Sequence, residues 1–304
     1  MQGSKLKDYL HLHFIVFIWG FTAILGKLIS IEAIPLVWYR MGLASIFIAL
    51  YFVIRKKKFK IDRKAMLKFL FSGIIIAVHW ITFFKAIKVS NVSVALVTMS
   101  TGAFFTSFIE PFFFKRKIKL IEIFLGAMVI VGLYIIFSFE SQYTMGIVYA
   151  LISSFLGALF AVLNGLYIKK HDAGLISFYQ LFFGTGVITV FLLFSGAFTL
   201  EFFTLDSSDW IYLIILASFC TAYAFIASVH VMRSLTPYTV MLTINLEPVY
   251  AIILALIIFG GNEKMNSEFY IGAFIVLFVV LLNGLLKNMK KFAEYRRNKA
   301  LQKK

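Results

Sequence analysis

Ten apolar stretches, each about long enough to cross a bilayer, occupy nearly all of this 304-residue chain. They settle the solvent: most of the surface must face lipid rather than water. A helix needs roughly 20 apolar residues to span the hydrocarbon. Only helices and closed barrels satisfy every backbone hydrogen bond there. The runs are continuous rather than alternating, which selects helices over strands. They fall at 9–30, 34–54, 65–84, 92–113, 120–138, 145–168, 174–194, 210–231, 237–259 and 268–287. The links between them are short, and none can bury a water-soluble core. The first run follows a charged segment, as in a leader peptide, but it has no small-residue cleavage site and is expected to stay as a helix.

A net charge of +16 raises the question of nucleic acid. Its placement gives a different answer. With the N-terminus inside, 25 of the 30 Lys and Arg lie in cytoplasmic segments. Eight fall in 55–68, four in 115–119 and eight in 287–304. The outer loops carry three, Lys85, Lys88 and Lys264, while Lys27 and Arg40 lie within spans. Seven of the 14 acidic residues fall outside, among them Glu32, Glu140, Asp209 and Glu263. This is the positive-inside bias, so both termini are expected in the cytoplasm. The basic clusters, such as Arg55-Lys56-Lys57-Lys58, then meet anionic membrane lipids. No aromatic-interleaved soluble module accompanies them, so no nucleic-acid partner is expected. Cys220 is the single cysteine, which rules out an intrachain disulfide.

The two halves of the chain echo each other. Trp19-Gly20-Phe21-Thr22 in the first span has its counterpart in Leu156-Gly157-Ala158-Leu159. Val37-Trp38-Tyr39-Arg40 matches Ser177-Phe178-Tyr179-Gln180, and Leu125-Gly126-Ala127 matches Ile271-Gly272-Ala273. Five spans per half is an odd number, so the halves must run in opposite senses across the membrane. That is the inverted-repeat logic of secondary transporters, whose sites lie near the midplane between the repeats. The expected organisation is a cytoplasmic segment 1–8, a repeat 9–138, an inverted repeat 145–287 and a basic cytoplasmic tail 288–304.

At these residues the chain resembles the drug/metabolite transporter superfamily, in its EamA-like branch. Phe17-Ile18-Trp19-Gly20 followed by Lys27 is similar to that family's first-helix signature. Ile34-Pro35 through Arg40 and Ala44 is similar to the second, and Leu246-Glu247-Pro248-Val249-Tyr250-Ala251 to the ninth. Gly260–Glu263 resembles the turn after it. The resemblance covers residues 10–287. The family usually carries a mid-membrane proline in its fourth helix, where this chain has Ala103-Phe104. Glu110-Pro111 lies two turns nearer the cytoplasm and is not equated with Glu247.

The polar residues inside the spans are the candidate site, because an ionisable group in lipid costs about 2.5 kcal/mol or more. Glu247 sits mid-span beside Pro248, which lacks an N–H and frees the carbonyl of Ile244. Such a carboxyl carries a proton or binds a substrate ammonium, or else staples its helix to a neighbour. Asn245 and Thr243 share its neighbourhood. Arg40 either attracts an anionic group or snorkels to the outer headgroups. Gln180, its repeat mate, lies equally deep from the inside. His79, Trp19, Tyr223 and Asn164 complete the proposed substrate or proton set. Gly20, Gly157 and Pro248 are placed where a gate helix can bend, and Gly26, Gly165, Gly184 and Gly186 allow close helix approach.

There is no Gly-rich phosphate loop, no Gly-x-Ser-x-Gly elbow and no His-x3-His or Cys-x2-Cys set. ATP, nucleophilic hydrolysis and a metal or other cofactor are therefore not expected. The resemblance implies a non-enzymatic transporter in the cell (inner) membrane, working by alternating access on small organic solutes such as amino acids. Export is what it suggests, by a monomer or weak homodimer. The competing reading is a membrane-embedded lipid-modifying transferase, which needs a cluster of His, Asp and Glu near one membrane face.

Overall fold

The computed structural model describes residues 2–115, 117, 118, 120–139, 141–260, 265–279, 281, 282 and 286. Among these every regular element is helical. The basic tail and the turn running to Glu263 and Lys264 lie outside the described residues.

The first half builds α1 (Gln2–Leu28), α2 (Ala33–Ile54), α3 (Arg63–Val89), α4 (Val92–Met99), α5 (Gly102–Phe114) and α6 (Leu120–Phe139). The second builds α7 (Thr144–Tyr167), α8 (Ala173–Phe194), the short α9 (Leu200–Phe203) and α10 (Ser207–Ala217). A π-helical turn, Ser218–Tyr223, leads into α11 (Ala224–Val231). Then come α12 (Pro237–Ile244), α13 (Glu247–Phe259) and α14 (Ser267–Val279). Side-chain caps start the helices where the chain turns. Asp62 accepts from Ala65 N, Asn91 from Val94 N and Asp172 from Gly174 N, each satisfying one orphan donor. Thr236 caps α12, with Pro237 in the first turn, where its missing N–H costs nothing.

Eight segments among the described residues are long and apolar enough to cross a membrane. Two more apolar stretches, Phe124–Ile136 and Ser267–Val279, lie where the fifth and tenth spans were expected. The protein is thus an all-helical, multi-pass membrane protein.

Its packing crosses between the halves more than it stays within them. α3 lies against α7 and α8, α2 against α8, α5 against α7, and α1 against α13 and α11. Small residues set these distances. A Cβ on Gly73 of α3 would stand 2.7 Å from the Gln180 carbonyl, and one on Gly184 of α8 would stand 2.8 Å from the Gly73 carbonyl. In lipid, where apolar burial adds little between helices, such close approach is the main attraction. Gly132 of α6 and Gly272 of α14 meet in the same way. Gly186 has open space around it and does not serve close packing.

Three expected spans are not plain α-helices. The fourth is divided at Ser100-Thr101 and the ninth at Asn245-Leu246. Both follow one pattern: eight helical residues, a two-residue turn, then thirteen helical residues. At each turn the hydrogen bonding tightens to a three-residue step, Thr101 N to Thr98 O and Leu246 N to Thr243 O. The third exception is the π turn within the eighth span.

Candidate functional site

A cavity of about 120 Å³ lies in the middle of the bundle. On a liquid-water share of ~30 Å³ each, it has room for roughly four waters. Its wall is drawn from α1, α2, α3, α4, α7, α11, α12 and α13, and so from both halves. Trp19, Trp80, Phe83, Phe160 and Phe225 make much of it aromatic. Arg40 brings a cation and Glu247 a carboxyl group, and His79 and Asn164 bring further polar groups.

Arg40 does not snorkel. It is 2% exposed and is among the largest fully buried side chains. Its guanidinium carbon sits 3.9 Å from the ring centre of Trp80 and 5.4 Å from that of Phe84. A cation over an aromatic face recovers some of what dehydration takes away. Nε donates to Thr221 Oγ1 at 2.7 Å, and that hydroxyl donates to the Leu216 carbonyl at 2.7 Å. NH1 is buried and unpartnered. A buried, unpaired N–H on a cation is costly, and at a cavity wall it is a donor held ready for a ligand.

Thr221 is available because of the π turn. One extra residue in the turn shifts the hydrogen-bond ladder and frees local carbonyls, a feature common at functional sites. The freed Cys220 carbonyl accepts from Trp19 Nε1 at 3.1 Å. The turn thus anchors both a cation of α2 and an indole of α1.

Glu247 opens α13, where the partial positive charge of the helix end favours a carboxylate. Among the described residues no salt bridge joins it to Arg40, although both face the same cavity. Tyr250, one turn further along α13, packs on Gly20, where an added Cβ would lie 3.1 Å away. Gly20 and Gly157 therefore both sit at tight contacts within unbroken helices, Gly157 against the His79 ring.

His79 is held by Ser153 of α7, whose Oγ also lies 2.9 Å from Nδ1. Ser153 Oγ donates to the His79 carbonyl at 2.8 Å, which uses its only proton. Nδ1 lies 2.8 Å from the Ser153 carbonyl and must be the donor there. In the neutral ring, Nε2 then carries the lone pair. Asn164 is 1% exposed; its Oδ1 accepts from Gln180 Nε2 at 2.8 Å, and its Nδ2 is unpartnered. Gln180 also donates to Ser72 Oγ, so it stands behind the cavity wall and positions Asn164.

The remaining candidates are elsewhere. Asn245 is buried at the turn between α12 and α13, with Nδ2 unpartnered, but lies off the cavity wall. Thr243 bonds back to the Thr239 carbonyl of its own helix. Pro248 is buried in the first turn of α13. Tyr223 faces outward at 41% exposure and bonds His11 at 2.9 Å. Sequence reasoning missed Thr221, Ser153 and Ser72, the partners that hold Arg40, His79 and Gln180. Hydroxyl residues in apolar helices were the available signal, but they are too common to single these out.

A larger recess of about 680 Å³ lies on the flank of the bundle. It is lined by Tyr223, by exposed charged residues and by buried apolar ones, and contains neither Arg40 nor Glu247, so volume alone does not choose the site.

A family model described as the EamA-like transporter family matches residues 9–138 and 144–285. One solved crystal structure superposes with a TM-score of 0.65 at 12% identity, covering 90% of this chain and 96% of that one. At that identity it shows a shared fold alone. A comparison with curated proteins gives no match.

Proposed function

The chain belongs to the EamA-like transporter family, and from that premise we propose that it exports small organic metabolites such as amino acids across the cell (inner) membrane by alternating access. The observation that carries this reading is the pair Arg40 and Glu247 on one small, aromatic-walled cavity, with no salt bridge between them among the described residues. A solute with an anionic group for Arg40 NH1, a cationic group for Glu247 and an apolar body for Trp19, Trp80 and Phe160 fits that wall. The family is one of transporters, so the lipid-modifying transferase is not favoured.

The same reading takes the architecture as ten transmembrane helices in two inverted repeats, 9–138 and 145–287, with both ends cytoplasmic. The equal division of the fourth and ninth spans supports it, since broken helices at corresponding places in two repeats mark transporter sites. Glu247 acts as the proton carrier, and Asn245, with Pro248, lets the ninth span flex around it.

The test is radiolabelled solute flux in proteoliposomes, with and without a pH gradient. Glu247→Gln keeps size and hydrogen bonding but fixes the neutral state. It is expected to insert and fold, to lose pH-dependent flux, and to retain counterflow exchange. Wild-type flux at every pH with unchanged apparent affinity would reduce Glu247 to a helix contact and move the site elsewhere.

A further inference from the structure

The flank recess has a composition that transport does not use. Its walls come from α2, α8, the π turn and α11, with Phe47, Ile48, Ala222, Ile226 and Ala227 giving an apolar lining. At its rim stand Lys57, Arg233 and Asp172. A second recess of about 490 Å³, sharing Asp172 and Arg233, adds Lys169 and Lys170. Two cations, Lys57 and Arg233, thus meet at one carboxylate, with Lys169 and Lys170 on the adjoining recess. That carboxylate neutralises them poorly: Lys57 Nζ and Arg233 NH2 each lie 3.9 Å from an Asp172 oxygen, and all three side chains are at least 41% exposed. Exposed pairs of this length contribute little. Asp172 Oδ1 is moreover engaged in capping α8.

The dimensions are those of one leaflet. From Arg233 at the rim to Tyr223 on the groove wall is ten residues of mostly helical rise, roughly 15 Å. That is about half of the ~30 Å hydrocarbon thickness. His230 stands about one turn below Arg233, and the hydrogen-bonded pair His11–Tyr223, at 2.9 Å, lies at the deep end. Cations at the rim, His230 a turn below them and apolar Ala227, Ile226 and Ala222 deeper along the wall follow the order of headgroup, ester and acyl chain.

We propose that this groove is a specific site for one anionic phospholipid of the leaflet at the basic end of the bundle. Its phosphate is held by Lys57 and Arg233, and its chain lies along Ile226 and Phe47. The same helix, α11, presents Phe225 and Ser228 to the central cavity and Ile226 and His230 to the groove. A lipid seated there bears on the helix that carries the cavity wall. The site rests on the reading of a membrane-embedded bundle, but its test does not depend on transport.

The experiment is native mass spectrometry of the purified full chain with phosphatidylglycerol or phosphatidylcholine, counting lipids that survive detergent removal. Wild type should retain one phosphatidylglycerol and little phosphatidylcholine. Lys57→Gln with Arg233→Gln should lower that retention roughly tenfold or more. Ile226→Trp, which fills the trough and leaves the charges alone, should lower it as well. Asp172→Asn keeps the cap but removes the competing carboxylate, and should raise retention. The control Arg63→Gln with Lys64→Gln removes two exposed cations elsewhere and should change nothing. Equal retention of the two lipids, or a control that loses as much as the groove variants, overturns the site. So does Asp172→Asn if it weakens binding. A failure of solute flux would leave every one of these readings in place.

Discussion

At the scale of single residues, Arg40 shows most clearly how a costly group is kept. A buried guanidinium is tolerated here by Trp80 and Phe84 on its faces and Thr221 on Nε, while NH1 remains free. Lysine keeps the charge but not the planar fork, so it cannot stack and donate to Thr221 and a ligand together. Arg40→Lys is therefore expected to insert normally and lose solute flux by roughly tenfold to a hundredfold, the range for one hydrogen bond to a charged group. Thr221→Val, which leaves the fork but removes its support, should cost less. Flux and detergent melting temperature measured side by side separate the two roles. Wild-type flux in Arg40→Lys would show that the guanidinium does not touch solute.

At the scale of elements, what decides the bundle is how closely backbones approach. The Gly73–Gly184 crossing leaves no room for a Cβ, with backbone atoms within 2.8 Å on both sides. Neither carbonyl can move without its helix. Gly73→Ala should therefore lower stability by about 1–3 kcal/mol, the usual cost of overpacking. Gly186→Ala, two residues along α8 in open space, should be neutral or stabilise by roughly 0.4–1 kcal/mol. Thermal unfolding in one detergent compares the two. Equal losses would mean that glycine acts here through helix flexibility rather than contact. The elements were largely legible in the sequence, because a continuous apolar run of span length has few alternatives. Their interruptions were less so. Pro248 gave notice of the break before α13, yet the matching break at Ser100-Thr101 has no proline to mark it. The π turn left no trace, since Ser218–Tyr223 has the composition of any packed helix. Arg40, Glu247, His79, Trp19 and Asn164 stood out because polar groups in lipid are expensive. Tyr223 stood out equally, yet it faces outward, because helical spacing alone does not say which face looks inward.

For the whole molecule, the two ends of the bundle differ in how they are closed. At the end where α1 gives way to α2, Ser30 donates to Asp209 through its backbone N at 2.9 Å and its Oγ at 2.5 Å. Asp209 is 1% exposed, so both bonds are shielded from water. Lys88 donates to the Ile29 carbonyl beside them, and Lys85 pairs with Glu32 at 3.1 Å. The exposed Lys85–Glu32 pair contributes little. The buried carboxylate bonds carry the closure, at about 1.5–3 kcal/mol each. At the opposite end the ion pairs of Asp172 are long and wet, and two recesses open there. In the proposed orientation that end is cytoplasmic, and the Ser30–Asp209 bonds then form an outer clasp between the first interhelical link and α10. A transporter cycling between two states holds this one only as firmly as the clasp. Asp209→Asn keeps an acceptor for Ser30 N but gives up the charge that both bonds share. In a Cys220→Ser background with Phe83→Cys on the cavity wall, it should speed labelling by an impermeant maleimide from outside by roughly tenfold. Labelling from the cytoplasmic side should fall in step, because one equilibrium governs both faces. Faster labelling from both sides at once would mean that the substitution loosened the bundle instead of shifting it, and an unchanged outer rate would place the outer gate somewhere other than Asp209.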